Sequence, residues 1–348
     1  MNLQEDIPLA PLTTLQVGGP ARYFVDATTE EEVREAVDWA LLREYPLFIL
    51  GGGSNLVVSD AGWPGLILRI SILGIAEHAG QGQMRFNVGA GEEWDRFVGY
   101  AIGRNCAGIE CMSGIPGSVG GTPVQNVGAY GQEAGDTICS VLVLDTENMQ
   151  TRVMEAEECG FSYRTSIFNS TQRGRYIILR VAYELTPGGS PNIRYADLQR
   201  HFAGWAEPPS LAQVRDAVRT VRAGKAMLIT AGDEDCRSAG SFFKNPLLSE
   251  AEYQRLMGAA SGRGVVVPSY PMVSSQRKVS AAWLVEHSGF AKGFSHGRVG
   301  ISRKHALAIV NRGGATAADI FELEYMIEQR VREQWGIQLI PEPVCVGF

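Results

Sequence analysis

The sequence predicts an α/β protein of several units, and three observations carry that prediction. Apolar runs of strand length alternate with amphipathic helical patterns along most of the chain. Two glycine-rich blocks, 50–55 and 114–131, punctuate that order. A length of 348 residues exceeds what one hydrophobic core usually serves.

A first unit spans residues 1–72. Thr29–Tyr45 carries a Thr29/Glu32 capping pattern and apolar residues Val33, Ala36, Val37, Ala40 and Leu41 on one face, which predicts a helix. Strands are predicted at 46–50, 56–58 and 66–70. A second unit, 73–209, has a strand at Met84–Val88, a helix over Trp94–Arg104, the longer glycine segment, and strands at 138–144 and 176–185. The stretch PGGSPN at 187–192 reads as a loop. A third unit, 210–348, opens with a helix capped by Ser210 with Leu211, Val214, Val218 and Val221 on its apolar face. Helices follow at 249–260, 279–288 and 316–335, the last ending at Gly336, with strands at Gly264–Val267 and Ala306–Val310 between them. No fixed-period repeat or low-complexity tract interrupts this order.

The glycine blocks are the most distinctive local feature. Residues 114–131, GIPGSVGGTPVQNVGAYG, hold six glycines and two prolines in eighteen positions. Such a segment is neither helix nor strand. Its amides suit an anion such as a pyrophosphate, because glycine admits close backbone approach. The second block, LGGGSN at 50–55, follows the apolar run PLFIL. No helix opens after it, so it is not a Rossmann turn, and no GxxxxGK followed by Ser or Thr occurs. For either block alone, a simple connector is the competing reading.

Composition narrows the class. The 41 glycines are about 12% of the chain against a usual level of roughly 7%, and they cluster. A net charge of −7 and a pI of about 5.4, without a basic run, argue against a nucleic-acid surface. The six cysteines form no CxxC pair and no cluster with zinc-ligand spacing, so reduced thiols and no metal are expected. The start MNLQEDIPLAPL lacks a basic leader pattern and no apolar run nears eighteen residues, so a cytoplasmic protein with no membrane association is expected.

Three polar positions suggest chemistry. In AGSFFKNP, 239–246, Ser241 follows a glycine and precedes two aromatics. It is not a nucleophile elbow, which needs GxSxG, and a serine in an ordinary strand is the alternative. In FSYRTSIF, 161–168, Arg164 is a guanidinium suited to a carboxylate, or a surface arginine whose stem packs on aromatics. In IPEPV, 340–344, flanking prolines hold Glu342 in a rigid turn.

Taken in order, LGGGSN, IPGSVGGTPVQNVGAYG, YRTS, GSFFKNP, SAAWLVE, SRKHALAIVN and the late PE make the chain resemble the UDP-N-acetylenolpyruvoylglucosamine reductase family over nearly its whole length. The resemblance implies a vanillyl-alcohol-oxidase-type FAD-binding fold of two small α/β subdomains plus a C-terminal α/β substrate-binding domain, whose residues 337–348 return to the active site. It implies non-covalent FAD, NADPH as hydride donor, and a UDP-sugar enolpyruvyl ether as substrate.

Carried onto matching positions, the family pattern makes Arg164, Ser241 and Glu342 the catalytic residues. Gly51, Gly52, Gly53, Ser54, Asn55 and Leu56 resemble one FAD-binding element. Ile115, Pro116, Gly117, Ser118, Gly120 and Gly121 resemble a second, continued by Gln125, Asn126, Gly128, Ala129 and Tyr130. Tyr195, in a segment typical of the longer subtype, is similar to the tyrosine that closes over the substrate diphosphate, and Lys225, Asn245 and His305 are similar to substrate contacts. The implied roles are a proton from Ser241, charge stabilisation by Arg164, and a carboxylate at Glu342 that orients Arg164 or hydrogen-bonds the enediolate-like intermediate.

Two departures stand out. After Lys225 the family pattern Leu-Pro-Asp-Pro is replaced by AMLITAGDEDCRSAG, and the five histidines all lie outside the glycine blocks. A flavin oxidase or dehydrogenase of the same fold acting on an alcohol or sugar is the alternative, and it leaves Ser241, Arg164 and Glu342 unexplained. A monomer is expected.

Overall fold

Thr29 starts the first helix, Glu30–Leu41, by accepting the amide N–H of Glu32 on its hydroxyl at 3.1 Å. The Glu32 carboxylate reaches back one residue further than the sequence pattern predicts, to the amide of Thr28 at 2.8 Å. These bonds satisfy N–H groups that a helix start leaves without partners. Val33, Ala36, Val37 and Ala40 are then buried on one face.

The computed structural model describes residues 1–80, 82–271 and 276–348. They form two units. The first comprises Met1–Ile7, Ala21–Gly53 and Trp63–Ala223; the second comprises Pro8–Pro20, Ser54–Gly62 and Gly224–Phe348. Most of residues 1–72 and all of 73–209 therefore fall in one unit, segments 8–20 and 54–62 join the other, and helix Leu211–Ala223 belongs with the first unit rather than with the chain that follows.

Two large sheets build the first unit, beside a short hairpin of Gly128–Ala129 with Gln132–Glu133. One runs in the order Leu3–Pro8, Pro20–Ala27, Trp63–Ile70, Leu47–Leu50, the last three strands being parallel. The other is antiparallel, in the order Gln150–Glu155, Ile138–Asp145, Tyr176–Pro187, Met84–Gly89, Ile75–Ala79. The longer strands 3–8, 20–27, 75–79 and 150–155 escape the sequence reading, as do the two-residue strands 106–107, 128–129 and 132–133. Leu3–Pro8, Ile75–Ala79 and Gln150–Glu155 bury at most one residue each, so they carry little apolar signal.

The core of this unit is aromatic where it meets the long glycine segment. Trp94, Phe97, Phe86 and Tyr183 are at most 1% exposed. Trp94 Nε1 donates to Met112 O at 3.0 Å, and the Tyr183 hydroxyl pairs with Thr122 Oγ1 at 2.6 Å. Buried aromatic polar groups need such partners, and here the partners lie just before the glycine segment and at its middle. Val119 N and Gly120 N also donate to Glu92 O and Ala90 O, both at 2.8 Å. A loop whose regular structure is limited to a 3₁₀ turn at Val119–Gly121 and the short strand Gly128–Ala129 is thereby fixed to a rigid scaffold.

The second unit has two three-stranded antiparallel sheets, ordered Leu247–Leu248, Arg277–Val279, Ser269–Pro271 and Ser295–His296, Val299–Ile301, Ile309–Asn311. No strand forms at 264–267; Gly264, at φ +67°, closes the turn after helix Glu250–Ser261, and the strand begins at Ser269. The strand predicted at 306–310 starts later, at Ile309, because His305 and Leu307 form a turn. Leu56–Val58 pairs in parallel with Val344–Val346. Asp60 accepts the amides of Ala317 and Ala318 at 2.8 and 3.1 Å, an anion at the start of helix Ala317–Trp335. Among the described residues no helix is long and apolar enough to cross a membrane.

Candidate functional site

In the first unit the two glycine blocks meet. A Cβ on Gly52 would lie 2.5 Å from Gly117 Cα, and one on Gly51 would lie 2.8 Å from Ser118 Oγ. No side chain fits there, so the two backbones form one bare surface. The ladder of strand Leu47–Leu50 ends before Gly51, which leaves the amides of Gly51, Gly52 and Gly53 beyond strand pairing. Gly117 takes φ +128°, a value that L side chains rarely adopt. A surface of this kind suits the diphosphate of a dinucleotide.

Further along the loop the roles divide. Asn126 is 3% exposed, and its carboxamide is used within the protein: Nδ2 donates to Glu133 Oε2 at 2.8 Å and to Ser162 O at 3.1 Å, while Oδ1 accepts Gly135 N at 2.8 Å. Gly128 and Ala129 pair with Glu133 and Gln132. Arg164 lies against this stretch. Its Nη2 donates to Gly128 O at 2.6 Å and its Nη1 to Asn126 O at 3.4 Å, and its guanidinium stands 5.3 Å from the Tyr163 ring centroid. The backbone of Arg164 has φ +54°, a left-handed conformation costing about 1 kcal/mol or more for a non-glycine residue. Tyr195 meets Tyr130 edge-on, with centroids 5.2 Å apart and planes at 89°. Burial pushes the Tyr130 hydroxyl up to about 12, against the pull of Arg222.

Sequence reasoning missed a cluster beneath the loop. Arg215, Arg219 and Arg222 recur at helical spacing on helix Leu211–Ala223. Asp95 accepts Arg215 Nη1 at 2.6 Å, Nη2 at 3.0 Å, Arg219 Nη1, and the amide of Gly114 at 2.5 Å. Burial raises the Asp95 pKa, but Arg215, the Gly114 amide and Arg219 together hold it below the ordinary value. Arg222 is 7% exposed, and burial lowers its pKa while Tyr130 and Asp95 favour its charge. The spacing of the three arginines was the available signal; nothing local marked Asp95.

In the second unit Ser241 and Glu342 come from paired segments. Phe243 and Pro341 form an antiparallel bridge, Glu342 N donates to Phe242 O at 2.8 Å, and Lys244 N donates to Ile340 O at 2.9 Å. Asn55 Nδ2 donates to Glu342 O at 3.2 Å, and its carbonyl accepts Val344 N at 2.9 Å, so Asn55 braces the Glu342 turn. Thr14 Oγ1 donates to the Ser54 carbonyl at 3.3 Å. Asn245 Oδ1 accepts Ala281 N at 2.9 Å at the start of helix Ala281–Glu286. Phe242 N donates to Leu307 O at 2.8 Å, which brings the His305 turn alongside the Ser241 segment.

The unusual loop before Ser241 has its own fastening. Asp235, 5% exposed, accepts Ser302 Oγ and Arg303 N, both at 2.8 Å, and Asp233 pairs with Lys304. The acidic run GDED that replaces the family pattern thus ties this loop to the turn carrying His305. Nδ1 of His305 accepts Leu307 N at 3.1 Å, so the neutral ring carries its proton on Nε2.

Burial, with Lys225 and Lys292 adding repulsion, lowers the His305 pKa to about 4. The unfolded chain binds this proton near pH 6.5, so below that value it takes up more protons than the folded state, and stability falls as pH drops towards 4. The loss expected from this residue is about 3 kcal/mol. Urea unfolding at pH 7 and pH 4.5 should show a smaller acid penalty in His305→Gln than in the parent; equal penalties would refute the assignment.

Family models match both parts of the chain: an FAD binding domain over residues 21–153 and the C-terminal domain of UDP-N-acetylenolpyruvoylglucosamine reductase over residues 232–346. The UDP-N-acetylenolpyruvoylglucosamine reductase of Thermobifida fusca is 44% identical over 348 residues, covering 98% of this chain and 97% of the relative. That of Streptomyces avermitilis is 44% identical over 350 residues, covering 98% and 94%. Among solved structures, the reductase from Thermus caldophilus superposes with a TM-score of 0.67 at 27% identity, covering 99% of both chains. With these matches running through the glycine blocks, the Arg164 turn and the Ser241–Glu342 pairing alike, the chain belongs to the UDP-N-acetylenolpyruvoylglucosamine reductase family.

Proposed function

We propose that this chain reduces the enolpyruvyl ether of UDP-N-acetylglucosamine enolpyruvate to UDP-N-acetylmuramate, with FAD as cofactor and NADPH as reductant, in peptidoglycan precursor synthesis in the cytoplasm. The observation that carries the reading is the pairing of the Ser241 segment with the Glu342 turn, in a chain of this family whose glycine blocks form a bare backbone surface. FAD fits that surface: Gly51–Gly53 and Ile115–Gly121 would hold its diphosphate through backbone amides, and the histidines outside both blocks point to non-covalent binding. Bound FAD supplies the redox chemistry, accepting hydride from NADPH and passing it to the enolpyruvyl double bond.

The protein's own groups complete the reaction. As hydride adds to the terminal carbon, negative charge develops on the neighbouring carbon and the substrate carboxylate. Arg164, already held on loop carbonyls, stabilises that charge without rearranging. Glu342, on a braced turn, hydrogen-bonds the enediolate-like intermediate. Ser241 supplies the proton; a hydroxyl is a weak acid, and it serves because the carbanion is far more basic. Lys225, Asn245 and His305 contact the substrate, and Tyr195 covers its diphosphate. Residues 1–72 and 73–209 supply the two flavin subdomains, joined by helix Leu211–Ala223, and the chain beyond that helix supplies the substrate domain together with segments 8–20 and 54–62, in a monomer.

The purified protein should be yellow and should oxidise NADPH only when the enolpyruvyl nucleotide is present. Oxygen consumption with an alcohol or sugar, and none of that coupled oxidation, would instead favour a flavin oxidase.

A further inference from the structure

Glu110 is a fully buried carboxylate that the reaction described above does not use. Its Oε1 accepts Gln132 Nε2 at 2.9 Å and the amide of Asn192 at 2.8 Å, and its Oε2 accepts the amide of Gly108 at 2.8 Å. Gln132 is itself oriented, since its Oε1 accepts Cys111 N at 2.7 Å. Removing a carboxylate from water is costly unless amide donors replace the lost hydration. Here the replacement donors come from three separate stretches of chain.

The stretch around Asn192 is the one that depends most on this clasp. Residues 189–194 form neither helix nor strand. Asn192 is nevertheless fixed at every polar group: its carbonyl accepts Cys111 Sγ at 2.9 Å, its Nδ2 donates to Gly131 O at 3.1 Å, and its Oδ1 accepts Arg194 N at 3.1 Å. Three residues later stands Tyr195, 43% exposed, at the start of helix Ala196–His201. Leu198 and Phe202 of that segment pack with Cys111 and Tyr130. The segment is thus rooted at Asn192 and exposed at Tyr195.

We propose that Glu110 is a positioning residue for substrate binding: by clasping the Asn192 backbone it sets the root of the segment that presents Tyr195 to the nucleotide diphosphate. The proposal rests on the reading of Tyr195 as the diphosphate contact. Glutamine at 110 cannot accept from all three donors, because its NH2 must face at least one N–H, and its remaining oxygen is uncharged.

The test uses the full-length FAD-loaded enzyme. In Glu110→Gln, amide hydrogen exchange across 189–196 should quicken about tenfold, and KM for UDP-N-acetylglucosamine enolpyruvate should rise about tenfold, with flavin reduction by NADPH unchanged. In a Tyr195→Ala background the same substitution should leave KM where Tyr195→Ala alone puts it. Unchanged exchange at 189–196, or equal loss of flavin reduction and substrate turnover, overturns the proposal. Should Tyr195→Ala alone leave KM unaltered, the Tyr195 reading fails and the positioning role in substrate binding falls with it, while the exchange result still decides the clasp. If Glu110→Gln does not fold, Glu110→Asp, which keeps the charge but draws the carboxylate back from the Asn192 amide by one methylene, should shift exchange and KM in the same direction by less; no shift in either overturns the proposal equally.

Discussion

Ser241→Ala is expected to leave flavin reduction by NADPH at the parent rate and to slow product formation by on the order of 10³-fold. The two half-reactions separate because Ser241 is assigned only the proton that follows hydride transfer. Its backbone position should survive the substitution, since the segment is held by main-chain bonds from Phe242 N to Leu307 O and from Glu342 N to Phe242 O, both at 2.8 Å. Stopped-flow measurement of flavin bleaching with NADPH, then of recolouring with the enolpyruvyl nucleotide, reads the two steps separately. Equal slowing of both would remove Ser241 from the proton-donor role.

The second large effect is expected at Arg164. Arg164→Met should lower kcat by on the order of 10²- to 10³-fold, because a preorganised cation opposite a developing carboxylate charge is lost. Arg164→Lys should recover little. An ammonium cannot reproduce donation to Gly128 O and Asn126 O while keeping a planar face toward Tyr163. A lysine variant as active as the parent would show that charge alone suffices and that the geometry at the φ +54° backbone is incidental. Steady-state rates at saturating substrate, with FAD content matched by absorbance, decide between these.

Helix existence was readable wherever an apolar stripe and a cap coincided, as at Thr29 and Thr316, whose hydroxyls accept amides three residues on at 3.1 Å. The polar edge strands Leu3–Pro8 and Gln150–Glu155 were not readable, because a strand with one wet face and no neighbour beyond it needs little apolar residue. The glycine blocks announced a backbone surface, and Gly52 against Gly117 shows why no other residue fits. What the sequence concealed is the support under the site. Asp95, Glu110 and Asp235 reach partners up to 124, 82 and 68 residues away respectively. Long-range hydrogen bonding of that kind leaves no local pattern, and it also ties the Asn126 carboxamide to Glu133, Ser162 and Gly135.

The interleaved path of the chain has a practical outcome for dissection. A fragment cut at residue 224 would lose Leu15, Val17 and Val57 from a hydrophobic cluster otherwise made of later residues, and would strip the Asp60 carboxylate from the amides of Ala317 and Ala318. Expressed alone, that half would begin life with holes and a helix start stripped of its second anchor, whereas a version carrying residues 8–20 and 54–62 grafted back would regain its missing pieces.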